Sequence, residues 1–291
     1  MTSHNLPLDN LAKWIVSHWE SGFSHRYSIA NSKSNVWKKW RTELQPSSQD
    51  NWWCDSISQA AKHYSWTESK PSFEELSTKL RFALKDTNNT ACAETCLEIF
   101  KWGGVARKQG DRSRCWVQKH LDTGELCTKI DEAVAQLRPD SNQSLDSFDG
   151  TSLLMNSALT KVYAAADSQK SIVIYDGRVG AALGLITRRM LEEQAIALVP
   201  EDLRFEWGPP STRSAAQART RDPSHASLSF KQLPNTSQNK KADLRRAELS
   251  RVTNLLCQKV LRLLKSQGIT SKPIEIEKAL FMIGYDVRTN R

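Results

Sequence analysis

One side chain could carry chemistry before any fold is considered: Asp176, just ahead of a helical repeat. After Tyr175-Asp176-Gly177-Arg178, the apolar residues Val179, Ala182, Leu183, Ile186 and Met190 recur at helical spacing, so Asp176 falls at the mouth of a helix. Backbone N–H groups and the helix dipole keep a carboxylate ionised there. Taken alone, this is an ordinary N-cap. The preceding apolar run, Ile172-Val173-Ile174, gives it a second meaning: it would hold the carboxylate at the wall of the core, where its field is weakly screened. Such a carboxylate can stabilise an oxocarbenium-like sugar or activate water. A short helix carrying Lys161 precedes that run.

The elements that must position these groups are helices. Apolar residues recur at helical spacing along most of the chain and strand-like alternation is almost absent, so the fold is expected to be mainly α. Phe73, Leu76, Leu80, Ala83 and Leu84 form one face, started by Pro71 and Ser72; Leu126, Ile130, Ala133, Val134 and Leu137 form another, stopped by Pro139. Val252, Leu255, Leu256, Val260, Leu263 and Leu264 form a third, ended by Gly268, and Ile274 to Ile283 is a short final helix. Residues 139–150 read as a loop. Residues 208–243 read as a long basic loop: from 211 to 246 there are eight Lys or Arg (213, 219, 221, 231, 240, 241, 245, 246) against two acids (222, 243). Such a loop is either a solvated excursion or a phosphate-tracking segment, with Arg219 and Arg221 as candidate contacts. Seven of the ten Trp lie in the first 66 residues, which suits an aromatic-rich helical subdomain better than a base-stacking surface. The expected division is a Trp-rich helical N-terminal subdomain over 1–88 and a helical core over 89–291.

A chain of 291 residues can build its core without disulfides or metals. The 41 Lys and Arg against 32 Asp and Glu leave a net +9, which favours a polyanionic partner. Six irregularly spaced Cys suit reduced, buried thiols. Cys92 and Cys96 lie one helical turn apart, but Cys115 and Cys127 make no second close pair and the six His show no ligand spacing, so neither a metal nor a cofactor is expected. The opening residues lack a signal-peptide pattern and no run is long enough to span a membrane, so a cytoplasmic location with no membrane and no obligate protein partner is expected.

Thr160-Lys161-Val162 followed by Ile174-Tyr175-Asp176-x-Arg178-Val179 resembles the catalytic segment of the helix-hairpin-helix DNA glycosylase superfamily. The resemblance implies a two-lobed helical fold with a degenerate hairpin, Asp176 as the catalytic carboxylate, and Lys161 in the place of the Schiff-base lysine of members that also cleave the backbone. The spacing is a few residues shorter than the family's interval, and Ser157-Ala158-Leu159 stands where the hairpin's Gly-x-Gly would be. The degenerate hairpin favours hydrolysis without backbone cleavage. The iron–sulfur cysteine quartet of some members is absent, since only Cys257 lies beyond Cys127.

Phe100-Lys101-Trp102-Gly103-Gly104, the Tyr175 to Val179 segment and the closing Ala279-Leu280-Phe281-Met282-Ile283-Gly284-Tyr285-Asp286 are similar to a narrower bacterial subgroup associated with defence against phage. That likeness implies a hypermodified phage base, such as glucosylated hydroxymethylcytosine, as the target instead of endogenous damage. Trp102, Gly103 and Gly104 are either a plain helix end or a tight turn near an extruded nucleotide. In the second case Arg107, Lys108, Arg112 and Arg114 would reach phosphates, and Tyr175 and Arg178 would face the substrate.

The expected function is therefore excision of a modified or damaged base from double-stranded DNA, leaving an abasic site. A non-catalytic DNA-binding regulator is the main rival, since basic charge and helices suffice for it. Glu275-Ile276-Glu277-Lys278 faintly echoes a metal nuclease, although the same residues suit an exposed helix face.

Overall fold

In the computed structural model, residues 6–30, 32, 35–48, 50–66, 71–210, 219–234 and 241–288 are described. Arg213 and Lys240, with residues 211–218 and 235–240 of the basic stretch, lie outside the described residues. Helices dominate: α1 (Leu6–Ser17), α2 (Ile57–Lys62), α3 (Phe73–Lys85), α4 (Asn89–Trp102), α5 (Arg112–Asp122), α6 (Leu126–Leu137), α7 (Leu159–Ala166), α8 (Gly177–Glu193), α9 (Lys241–Ser266) and α10 (Pro273–Ile283). The one sheet among the described residues pairs β1 (His25–Ser28) with β2 (Asn51–Cys54). No helix among the described residues is long and apolar enough to cross a membrane.

Local signals explain most boundaries. Ser72 and Glu75 close a capping box at the start of α3, whose Leu76, Leu80, Ala83 and Leu84 are buried. Pro273 opens α10, where a missing N–H costs nothing. Helix α9 begins at Lys241, eleven residues before the Val252 expected from periodicity, because Ala242, Ala247 and Leu249 extend its buried stripe. The pairing of β1 with β2 was not expected. It is antiparallel, with His25 opposite Cys54 and Tyr27 opposite Trp52, all four buried. Each strand is only four residues long, and the twenty-two residues between them carry no hairpin turn signal.

The chain divides into two compact units, each assembled from separated segments: the first from 1–68, 176–232 and 256–291, the second from 69–175 and 233–255. This division differs from the boundary at 88/89 drawn from the sequence. Composition changes along the chain mark where a segment differs from its neighbours, whereas a unit is defined by which distant segments share a core. Helix α3 shares its core with Ile99, Phe100 and Tyr163.

In the first unit, five of the seven N-terminal tryptophans are core. Trp14, Trp19, Trp37, Trp40 and Trp52 are buried, and Tyr27 stacks on Trp52 at 4.9 Å between centroids. Helix α10 packs on α2 and α8.

In the second unit, α3 to α7 surround a core that includes Leu80, Phe100, Leu137, Leu159 and Tyr163. After α7, the buried Asp167 carboxylate accepts from the amides of Gln169, Ser171 and Ile172 and pairs with Arg138 at 3.1 Å, which turns the chain into the apolar run. The run forms no helix and belongs to no sheet. Side chains satisfy its buried amides instead: Asn254 Oδ1 accepts from Val173 N (3.0 Å), and Thr160 Oγ1 accepts from Tyr175 N (3.0 Å). The buried Asp243, in the first turn of α9, accepts from Met155 N (2.8 Å) and pairs with Arg112 at 2.9 Å.

Candidate functional site

Asp176 is the N-cap of α8, as the sequence implies. Its backbone is extended (φ −118°, ψ −178°), and Oδ1 accepts from Arg178 N (2.8 Å) and Val179 N (3.2 Å). Two donors on one oxygen fix the direction of the carboxylate, and the positive end of the helix dipole favours its charge. Two other segments of the first unit press against this helix start. Gly177 O accepts from Gly208 N, and a Cβ on Gly177 would lie 2.6 Å from Gly208 Cα and 2.8 Å from its N. A Cβ on Gly284 would overlap the Arg178 carbonyl oxygen. Residues without side chains are what allow three stretches of backbone to meet here.

Arg178 projects from the first turn into an aromatic wall. Its Cζ lies 4.4 Å from the ring centroid of Phe281, 5.4 Å from that of Trp66 and 5.5 Å from that of Tyr285. Its Nε is buried with no hydrogen-bond partner among the described residues, and so is that of Arg221. Burial brings the pKa of Arg221 down to about 10; the Arg178 cation adds to the shift and the Asp176 carboxylate opposes it. Arg221 Nη1 donates to Gly208 O at 3.3 Å. Burial, and then Glu277, push the Tyr64 phenol above its ordinary range, so it stays a neutral donor. The structure thus brings Asp176, Arg178 and Arg221 together in one electrostatic cluster. Arg219 is exposed, and its carbonyl accepts from Asp222 N.

A second set of expected residues gathers in the second unit. Lys161 is 7% exposed on α7, and its Nζ donates to Ser157 O one turn back at 2.7 Å. A Cβ on Gly103 would sit 2.6 Å from Lys161 Cδ and 2.8 Å from Cε, so the bare backbone at Gly103 is the floor on which the lysine stem lies. Trp102 packs on Phe73 with centroids 4.6 Å apart. Gly104 adopts φ +63°, and Arg107 Nε donates to its carbonyl at 3.0 Å. Lys108 is exposed. Tyr175, expected at the substrate, is 3% exposed. Gly103→Ala is expected to push the Lys161 stem off its floor at a cost of about 1–2 kcal/mol. The check is acetic anhydride labelling read by mass spectrometry, with faster modification of Lys161 in the variant; an unchanged rate would mean that Gly103 does not pin the lysine.

Asp176 belongs to the first unit and Lys161 to the second. Among the described residues, no group of three or more His, Cys, Asp or Glu is arranged to hold a metal ion. Glu275 acts locally, accepting from Lys272 N and Ser271 Oγ, both at 2.8 Å, at the start of α10, while Lys278 Nζ lies 5.3 Å from the Tyr64 ring centroid. Five of the six cysteines are buried thiols, and Cys115 is exposed.

Sequence reasoning did not assign roles to Tyr64, Trp66, Gly208 and Gly284. The spacing of Phe281, in the last turn of α10, and Tyr285, two residues past its end, is the signal that could have found the wall around Arg178. No protein-family model matches the chain, and neither a curated protein nor a solved structure was found to match it.

Proposed function

We propose that the chain is a DNA glycosylase that extrudes a modified or damaged base from duplex DNA and hydrolyses its C1′–N bond, leaving an abasic site. The observation that carries this reading is the Asp176 carboxylate, aimed by two backbone amides at the start of α8 and set among Arg178 and Arg221. Extrusion costs a few kcal/mol. As the C1′–N bond breaks, its electron pair leaves with the base and positive charge develops on the sugar; Asp176 opposes that charge and takes a proton from the water whose oxygen adds to C1′. A fixed carboxylate suits this role because it needs no reorientation at the moment of reaction.

Lys161 is the nucleophile of the competing version, in which its amine attacks C1′. Its Nζ already donates to Ser157 O and its stem lies across Gly103, which favours the hydrolytic version. The net charge of +9 suits a polyanionic partner. The target class that the sequence resemblance implies is a hypermodified phage base such as glucosylated hydroxymethylcytosine, in a role of antiviral defence; a damaged base in base-excision repair is the other. The test is incubation with unmodified genomic DNA and with phage DNA carrying glucosylated hydroxymethylcytosine, no metal added, and counting of abasic sites with an aldehyde-reactive probe. Sites formed only on the modified DNA are expected. Binding without abasic sites on any DNA would leave the non-catalytic regulator.

A further inference from the structure

Where α4 ends, Lys101, Gly104, Arg107 and Arg114 line a cleft of about 590 Å³ together with Leu97, Glu98 and Val105, all within the second unit. Its charges do not cancel. Lys79 engages the one acid, Glu98, through both carboxylate oxygens at 2.9 and 3.0 Å. Among the described residues, Lys101, Arg107 and Arg114 pair with no carboxylate.

Both guanidinium groups are also held in place. Arg107 Nε donates to Gly104 O (3.0 Å) and Arg114 Nε donates to Ala106 O (2.6 Å), so each is tethered by its inner edge to the same short turn. That turn is itself fixed in an uncommon shape, with left-handed backbone at Gly104 (φ +63°) and at Ala106 (φ +48°), the second without a glycine's freedom. A guanidinium bound through Nε still carries four N–H donors on its two Nη atoms, and a fork of that kind matches phosphate oxygens. Solvated surface arginines would show neither the shared tether nor the common cleft.

We infer that this cleft takes a single backbone phosphodiester of duplex DNA, gripped by Arg107 and Arg114 with Lys101 as a third cation. The inference rests on the DNA-binding part of the function proposed above and adds a specific anion site to it. Grip on one phosphate by two arginines predicts that removing either already releases most of the contact, so the two losses do not add.

The test is fluorescence anisotropy of a labelled duplex of about 20 base pairs, titrated with wild type, Arg107→Gln, Arg114→Gln, the double variant and Lys119→Gln between about 50 and 200 mM salt. Lys119 is an exposed charge on the same α5, outside the cleft. Loss of one phosphate contact lowers the slope of log K against log salt by about 0.9, so the ratio of affinities across that salt range shrinks about 3.5-fold. The expected result is that slope change in the double variant, most of it already in Arg107→Gln, with Lys119→Gln like wild type. Arg107 is exposed, so its single variant stays interpretable even if loss of the Arg114 tether perturbs the fold. If wild type binds duplex DNA steeply and the double variant keeps its slope, the cleft assignment fails and the DNA reading stands. Equal loss in Lys119→Gln also overturns it, because charge alone would then account for binding. If wild type shows no salt-dependent binding, the function proposed above fails and takes the cleft with it.

Discussion

Gly284→Ala is expected to lower stability by about 3 kcal/mol or more, the upper end of what overpacking costs. Extra methyl groups in a core are usually relieved by a neighbouring side chain changing rotamer. Here the added Cβ meets the carbonyl oxygen of Arg178, with its carbonyl carbon 2.6 Å and its Cα 3.1 Å away, and backbone at the first turn of α8 has no rotamer to change. Either α10 or the first turn of α8 must move. Gly110→Ala is the comparison, because a Cβ there has nothing within 4 Å. Urea midpoints measured on the two variants should differ widely, with Gly110→Ala near wild type. A Gly284→Ala midpoint equal to that of wild type would rule out the close approach of α10 to the helix start.

Acid should destabilise the first unit well above the range in which carboxylates titrate. His25 is buried on β1, and its Nε2 lies 2.9 Å from Asp286 O and 3.2 Å from Ile283 O, so that nitrogen is the donor. Burial first, and the Arg189 cation next, bring its pKa down from 6.5 to about 3. In the unfolded chain the same ring binds a proton near pH 6.5, so below that pH the unfolded state holds more protons and stability falls with falling pH until the folded value near 3 is reached. Between pH 7 and pH 5 the loss from this one group is about 2 kcal/mol. Burial lowers His63, also in the first unit, so it acts in the same sense. Comparing wild type with His25→Asn isolates the one ring: urea unfolding of the variant should be weaker at pH 7 but distinctly flatter down to pH 5. Parallel pH profiles would contradict the buried neutral imidazole.

What the sequence made legible follows from which interactions are local. The N-cap at Asp176, the capping box at Ser72 and the burial stripes of α3, α6 and α8 depend on residues within a turn or two, and each stands where periodicity and cap chemistry place it. The β1–β2 pair joins residues 23 to 29 positions apart with no turn signal between them, and the interleaved units and the aromatic wall around Arg178 depend on residues farther apart still, Trp66 and Phe281 by more than two hundred positions. Periodicity has no access to such pairings. The apolar run before Asp176 shows the same limit from the other side: its composition suits a strand, but Asn254 and Thr160 supply the partners that a sheet would have provided. The site was legible as a carboxylate at a helix mouth. The second arginine, Arg221, was legible only as one charge in a basic stretch, because its hydrogen bond to Gly208 O and its place beside Arg178 and Asp176 join residues that no local pattern links.

If the Asp176 carboxylate acts on a sugar, as proposed above, replacing it with Asn should suppress base release while leaving the helix cap in place. An asparagine oxygen can keep accepting from Arg178 N and Val179 N, so the cap survives while the charge is removed. The measurement is the single-turnover rate of base release from DNA carrying the modified base, alongside duplex affinity and thermal melting. The expected result is a rate lowered by about a hundredfold or more with affinity and melting close to wild type. Base release by Asp176→Asn at the wild-type rate would contradict the account.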